Sequence, residues 1–488
     1  MRILIVVDSP RDWPLHFEGA DVVAAREYIT DPGYSELGSA KVFNLCRSYR
    51  YQSLGYYVSL LASARGHKPF PDVIAIQDMK THSIIRVASE ELDALIQKSM
   101  APIQSQEFVL SIYFGHNLAK RHDPLSQHLF KLFPLPFLRA QFERRKKGHW
   151  FLKSIGPIAA SEIPDEHRSF VLEVAKEFFS RAAPRRRRAA AFRYDLAILR
   201  NPEEKEPPSE PKALRKFVKA AEALGMETEL IEKEDYARLA EFDALFIRET
   251  TNVNHHTYRF ARRAAAEGLV VVDDPESILK CTNKVFLAEL LMKNRIPVPD
   301  TVILQRENAE NAAGLLGFPL ILKRPDSSFS QGVVKVESRE ELASHVRVML
   351  ERSDLIIAQK FVPTEYDWRV GIFDRRVLFV CKYYMAGGHW QIIKRDTEGL
   401  KTGEGMSEAV PVDDAPKAIV RTALKAANLI GDGFYGVDLK QSGKDVHVIE
   451  VNDNPNVDTG VEDVVLRDEL YRQIMRVILG RIERKKGR

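Results

Sequence analysis

The sequence predicts an α/β protein of several domains, turning to α+β in its C-terminal part, on three observations. The chain has 488 residues, more than one compact core takes, so two to four domains are expected. Through residues 1–278 short apolar runs alternate with segments of helical spacing, the order of a sheet covered by helices. After residue 279 strand-like segments outnumber helical ones and close on a hairpin. Hydrophobic residues make up 45% and charged residues 29%, the balance of a globular protein.

The chain opens on RILIVVDS, read as a buried strand; Asp8 arrives too soon for a signal peptide. The segment SAKVFNLCRSYRYQSLGYYVSLLASAR (39–65) reads as one helix. The apolar DVIAIQDM, the helix-like SEELDALIQKSM, the strand EFVLSIYFG and the helix FVLEVAKEFFSRAA follow, completing an α/β domain over 1–180. It has no nucleotide fingerprint. Its histidines, His16, His67, His116, His122, His128 and His149, are scattered, and none is assigned a role. Residues 181–191 read as a basic linker.

A second domain, 192–278, begins with the strand FRYDLAILRN and the Pro- and Glu-rich loop PEEKEPPSEP. The helix KALRKFVKAAEALG, the strands ETELI and FDALFIRET, a helix within TNVNHHTYRFARRAAAEG and the strand LVVVDDP complete a small parallel sheet. The third block, 279–488, holds the helix NKVFLAELLMKNR, then strand, polar loop and strand in FPLILKRPDSSFSQGVVKVES. The strands DLIIAQKFVP and DWRVGIFDRRVLFVCKYYM, the helix APKAIVRTALKAANLIG and the hairpin FYGVDLKQSGKDVHVIEVND follow.

Charge and cysteine usage narrow the class. Residues 1–200 hold 29 Lys and Arg against 21 Asp and Glu, and the remainder holds 43 against 47. The basic excess concentrates in ERRKKGHW (143–150) and PRRRR (184–188), without the aromatic interleaving of a single-strand binder, so no nucleic-acid partner is expected. Cys46, Cys281 and Cys381 lie far apart, with neither metal spacing nor a disulfide framework, which favours a reducing cytoplasm. No apolar run approaches the ~18 residues of a membrane span, and no membrane partner is expected.

The hairpin near the C-terminus carries the chemistry. Asp438 lies on its first strand, and Glu450 and Asn452 lie on the second. Residues i and i+2 of a strand share a face, and an antiparallel partner can bring Asp438 beside them. Two carboxylates and an amide oxygen make a hard-cation site of the kind magnesium shares with phosphates; the alternative is a polar, solvent-facing edge. Lys323 ends a buried strand, and Ser327, Ser328, Ser330 and Gly332 follow in a loop able to close over a triphosphate, or simply a polar hairpin loop. The strand exit Gln359-Lys360-Phe361-Val362 offers backbone groups and an apolar side chain to an adenine, or is a strand ending in a loop. Arg369, Lys382 and Lys394 supply cations for a transferring phosphoryl group.

Taken in order, Lys284, Lys323, the Ser/Gly loop, QKFV, DWR, Asp438 and EVNDNPN resemble the ATP-grasp superfamily, and block 190–488 resembles its RimK-like branch. Residues 1–180 resemble the RimK-like ATP-grasp N-terminal domain. The resemblance implies an ATP-grasp fold preceded by a small pre-grasp sheet and a further N-terminal α/β domain. It implies that Lys284 and Lys323 contact ATP phosphates, and that Gln359, Lys360, Phe361 and Val362 frame the adenine. Glu365 or Asp367 would reach ribose or substrate, and Arg369 the acyl phosphate. Asp438, Glu450 and Asn452 would hold two magnesium ions, or manganese in their place, with Glu450 bridging. The sequence departs from the branch in SSFSQG, poorer in glycine, and in GGHWQIIKRDTEGLKTGEG before the last helix, which bears on substrate identity.

The expected activity is ADP-forming ligation of a small carboxylate to an amine, glutamate or another amino acid among them, by a cytoplasmic homo-oligomer. Two alternatives are glutamylation of a protein tail and a non-catalytic ATP-regulated binding module. Residues 1–180, opposite in charge to the remainder, are expected to dock on it and help select substrate without binding ATP.

Overall fold

The structure is a computed structural model. It describes residues 2–13, 20–38, 40–79, 85, 88–90, 92–145, 148–159, 162–182, 192–306, 308, 311–326, 332–395 and 401–487. The linker residues 183–191, with PRRRR, lie outside these, as do His16, Ser327, Ser328 and Ser330. Contacts divide the chain into two compact units, Met1–Ala191 with Glu234–Glu241, and Phe192–Lys233 with Phe242–Arg488.

In the first unit, β1 (Arg2–Val7), β2 (Ala20–Ala24), β3 (Ala40–Asn44) and β4 (Lys68–Phe70) form a parallel sheet in the order β2-β1-β3-β4. Leu4 and Val6 pack on one side with Val42 and Val58, while Ile3, Ile5 and Val7 pack on the other with Phe43 and Ile76. Burial on both faces is why β1 reads as an unbroken apolar run. A meander of β5 (Glu107–Tyr113), β6 (Phe137–Arg144) and β7 (Trp150–Pro157) forms a second, antiparallel sheet.

One local expectation is corrected by the backbone. Residues 39–65 are not one helix: Ala40–Asn44 is a strand hydrogen-bonded to β1, and the helix begins only at Leu54, where Ser53 caps it by accepting from the Tyr56 N–H. Val73–Asp78, within DVIAIQDM, is a short helix capped by Asp72. Among the histidines, His67 and His122 are buried, paired to the Tyr28 and Ser99 hydroxyls at 2.8 and 2.7 Å, and burial holds both rings below the ordinary pKa.

The second unit starts with β8 (Tyr194–Leu199), β9 (Met226–Ile231), β10 (Ala244–Ile247) and β11 (Val270–Val272), parallel in the order β11-β10-β8-β9. Helix Pro211–Ala223 buries Ala213, Leu214, Phe217, Ala220 and Ala221, a stripe at helical spacing. An antiparallel sheet of β12 (Thr301–Leu304), β13 (Leu320–Lys323), β14 (Val333–Val336) and β15 (Ile356–Lys360) follows in the order β12-β15-β13-β14.

The largest sheet holds β16 (Tyr366–Phe373), β17 (Arg376–Tyr384), β20 (Ser407–Val410), β21 (Phe434–Ser442) and β22 (Asp445–Asp453), ordered β20-β17-β16-β21-β22. Between β17 and β20, β18 (Ile393–Arg395) and β19 (Lys401–Glu404) form a separate ribbon. Strand alternation sorts the large sheet's side chains. Trp368, Val370, Val380, Val437 and Leu439 pack with Ile419, Ala423 and Ala426 of helix Lys417–Ile430. Phe373, Phe379, Cys381 and Phe434 pack with Tyr471, Ile474 and Ile478 of helix Asp468–Lys485. The first set is even-numbered on β16, and the odd-numbered positions beside it are polar toward the start of that strand.

Candidate active site

The polar cluster is built on β16, β21 and β22. In register, Asp438 of β21 stands opposite Glu450 of β22 and opposite Arg369 of β16, while Asn452 stands opposite Gly436. A bulge follows at once: Asp438 pairs with Glu450 but Leu439 pairs with Val448, leaving Ile449 as the extra residue. Arg369 grips Asp438 with two parallel bonds, Nε to Oδ1 at 2.7 Å and Nη2 to Oδ2 at 2.8 Å. The Asn452 amide donates to Asp438 Oδ2 at 3.0 Å. The guanidinium also lies 5.0 Å from the centre of the Tyr383 ring, whose hydroxyl donates to buried Glu462.

Two lysines reach this cluster from other elements. Asn283 caps helix Lys284–Lys293 by accepting from Phe286 N–H, and the Lys284 N–H bonds to the Pro325 carbonyl at 2.7 Å. The cap and that bond fix Lys284, whose Nζ lies 2.5 Å from Glu450 Oε1. Lys323, at the end of β13, is buried and donates to Gln359 Oε1 at 2.8 Å; Gln359 in turn donates to the Thr301 hydroxyl at 2.9 Å. Beyond Lys323, Gly332 returns the chain with φ 68°, and a side chain there would collide with the Arg324 guanidinium.

Sequence reasoning missed one cation. Lys440, two residues after Asp438, donates to Asp367 Oδ1 at 2.6 Å and to Thr364 at 2.8 Å. Lys323, Lys284, Lys440 and Arg369 thus stand against Glu450, Asp367 and Asp438, four cations to three carboxylates, before any nucleotide enters. Burial pushes Lys323 down to about 8, with Lys284 and Lys440 adding to the fall and Glu450 opposing it. Burial acts to raise Glu450, but Lys284, then Lys323 and Arg369, outweigh it and leave the carboxyl below its ordinary value. Asp367 is raised by burial, against the pull of Lys440.

Other expected site residues sit apart from this cluster. Lys382 pairs in register with Trp368, not with Arg369, and so points to the opposite face. There it lies over the Tyr366 and Trp368 rings and pairs with Glu408 at 3.2 Å. Lys394 is exposed on the β18–β19 ribbon. Lys360 and Glu365 are exposed as well, and Lys360 lies 3.8 Å from Asp300. Phe361 and Val362 are half-buried; Lys335 Nζ lies 4.8 Å from the Phe361 ring, and Trp390 meets it edge-on.

The amide- and carboxylate-rich run 450–456 divides into two roles. Glu450 and Asn452 face the cluster. Asp453 and Asn454 turn to the parallel sheet: Asp453 accepts from the Thr251 hydroxyl at 2.6 Å, and Asn454, at φ 49°, donates to the Glu249 carbonyl at 2.6 Å. Asn454 Oδ1 accepts from Arg248 at 2.6 Å. Arg248 is wholly buried and also donates to the Pro455 and Pro208 carbonyls and the Ser209 hydroxyl. Neither Arg248 nor Thr251 was singled out from the sequence.

The donor set fits a divalent hard cation. Asp438, Glu450 and Asn452 offer oxygen from carboxylates and an amide, the ligands magnesium takes, and the surrounding cations suit a polyphosphate.

Two family models match the chain: residues 281–478 match the RimK-like ATP-grasp domain and residues 25–174 the RimK-like ATPgrasp N-terminal domain. A probable alpha-L-glutamate ligase of Legionella pneumophila is 24% identical over 230 residues, covering 46% of this chain and 72% of that protein. The alpha-aminoadipate–LysW ligase LysX of Saccharolobus solfataricus is 26% identical over 219 residues, covering 43% and 75%. Among solved structures, a RimK domain ATP-grasp protein of Sphaerobacter thermophilus aligns at 21% identity and TM-score 0.45, over 59% of this chain and 100% of that one. D-alanine–D-alanine ligase of Bacillus anthracis complexed with ATP aligns at 16% and 0.47, over 60% and 100%. Among the described residues no helix is long and apolar enough to cross a membrane.

Proposed function

We propose that this chain is an ATP-dependent carboxylate–amine ligase, with an amino acid as one of its substrates. The observation that carries the reading is the convergence of Asp438, Glu450 and Asn452 on one sheet face with Arg369, Lys284 and Lys323 around them. A substrate carboxylate oxygen attacks the γ-phosphorus of ATP, and ADP leaves. The amine then attacks the acyl carbon, phosphate departs with the C–O electron pair, and the amine gives up a proton.

Lys284 and Lys323 would meet the phosphates, and Asp438, Glu450 and Asn452 would hold the divalent ion that neutralises developing charge. Arg369 would steady the acyl phosphate. Gln359, with Phe361 and Val362 at the end of β15, would receive the adenine. The residues position and neutralise, with no covalent nucleophile needed. The relatives' names, a glutamate ligase and an aminoadipate ligase, support an amino-acid substrate. The test is nucleotide analysis after incubation with panels of acids and amines. ADP and phosphate should form only when both are present; AMP and pyrophosphate, or turnover needing neither, would exclude the reading.

A further inference from the structure

A second cluster lies at the C-terminal end of β10, apart from the hairpin. Glu249 follows the strand and is 1% exposed. The chain returns at His255, in extended conformation before helix His256–Ala266, whose first residue is His256. One ligating atom from each of Glu249, His255 and His256 lies within 4.8 Å of those of the other two. His256 Nε2 stands 2.9 Å from both Glu249 oxygens and is hydrogen-bonded to Oε2; Oε1 is buried and has no hydrogen-bond partner among the described residues. His255 Nδ1 lies 3.1 Å from the Thr257 hydroxyl, which orients the ring.

A buried carboxylate oxygen needs partners, and among the described residues Oε1 has only the His256 ring nitrogen, at 2.9 Å and without hydrogen-bond geometry. We propose that Glu249, His255 and His256 form a transition-metal site of the zinc class, with Glu249 Oε1 as its carboxylate ligand. Two imidazoles, one carboxylate and a water make a four-coordinate set that zinc accepts. The all-oxygen set of the hairpin suits harder ions such as magnesium, whereas imidazole nitrogen suits zinc. Bonds of ~2.0–2.1 Å put tetrahedral ligand atoms roughly 3.4 Å apart, so binding opens the 2.9 Å contact between His256 and Glu249 and replaces the hydrogen bond between them. Because the Glu249 carbonyl receives Asn454, the metal would brace the turn that follows the catalytic hairpin.

The experiment uses the full chain, stripped with chelator and titrated with cobalt(II) as spectroscopic probe, then with zinc. A visible cobalt band should saturate at a single equivalent and be displaced by zinc. His256→Asn should abolish it, His255→Asn should weaken binding by about tenfold or more, and Glu450→Gln should leave it intact. No band in the wild type, a band unchanged in folded His255→Asn, or loss in folded Glu450→Gln would each overturn the assignment. Circular dichroism establishes folding; if His256→Asn does not fold, His255→Asn, at a half-exposed position, decides alone.

Discussion

Arg369 and Asp438 stand opposite one another on adjacent antiparallel strands and are joined by two parallel hydrogen bonds of 2.7 and 2.8 Å. The fork holds the carboxylate plane in one orientation, so on the proposed reading Arg369 would both face the reaction and aim a metal ligand. Arg369→Ala should lower the rate of ADP formation by about two to three orders of magnitude, and Arg369→Lys, which keeps charge but not the fork, should recover little. A folded Arg369→Ala variant within a few-fold of wild type would remove the residue from the site.

Glu450 is bonded to Lys284, so truncation to alanine removes an ion-pair partner of a buried cation and confounds stability with catalysis. Glu450→Gln retains the shape. It should fold, bind manganese at least about tenfold more weakly in the presence of nucleotide, and lose nearly all turnover. Paramagnetic resonance of added manganese reads the binding directly.

Lys323, held at about 8 by burial, leads to a pH prediction. Its folded pKa lies below its unfolded value, so the unfolded chain binds more protons between about pH 8 and 10.4, and stability from this group rises with pH across that window. Phosphates beside it would favour the charged form. Mg-ATP binding near pH 8 should therefore take up protons, seen by calorimetry in buffers of different ionisation enthalpy. Lys323→Met should abolish that uptake and raise the ATP concentration needed for turnover.

Lys382 belongs to the opposite sheet face, with Trp368 and Glu408. Lys382→Ala should leave the rate within about threefold of wild type, since an exposed pair of this kind contributes little. A hundredfold loss in steady-state turnover by the folded variant would mean that this face takes part in the reaction.

The hairpin was legible because its information is local. Glu450 and Asn452 share a face by the two-residue period of one strand, whereas Asp438 comes opposite Glu450 only through the bulge at Ile449, which the period does not foretell. Lys440 obeys the same rule and could have been found by it. Lys382 was misplaced because its face relative to Arg369 depends on a register that shifts at Gly371/Ile372, where alternation cannot be carried through. The strand Ala40–Asn44 was absorbed into a helix because its apolar residues run on toward the next segment without Gly or Pro before Gly55; pairing to β1, a long-range interaction, makes it a strand. Arg248 was passed over because a buried arginine shows its role only through partners some 40 and 206 residues away.

Those partners constrain how such proteins can be recombined. Arg248 is fully enclosed, with burial pushing its pKa down to about 10 against the pull of Asp458 and Asp273, and it is neutralised chiefly by carbonyl, hydroxyl and amide oxygens from two distant parts of the chain. A chimera that takes its parallel sheet from one homologue and its C-terminal sheet from another inherits half of this joint from each parent. Unless Ser209, Arg248, Asn454 and Pro455 travel together, the graft leaves an arginine sealed in without acceptors, or acceptors sealed in without an arginine. A library of hybrids crossed at residue 278 should therefore be depleted of soluble members relative to one in which Ser209, Arg248, Asn454 and Pro455 all come from a single parent.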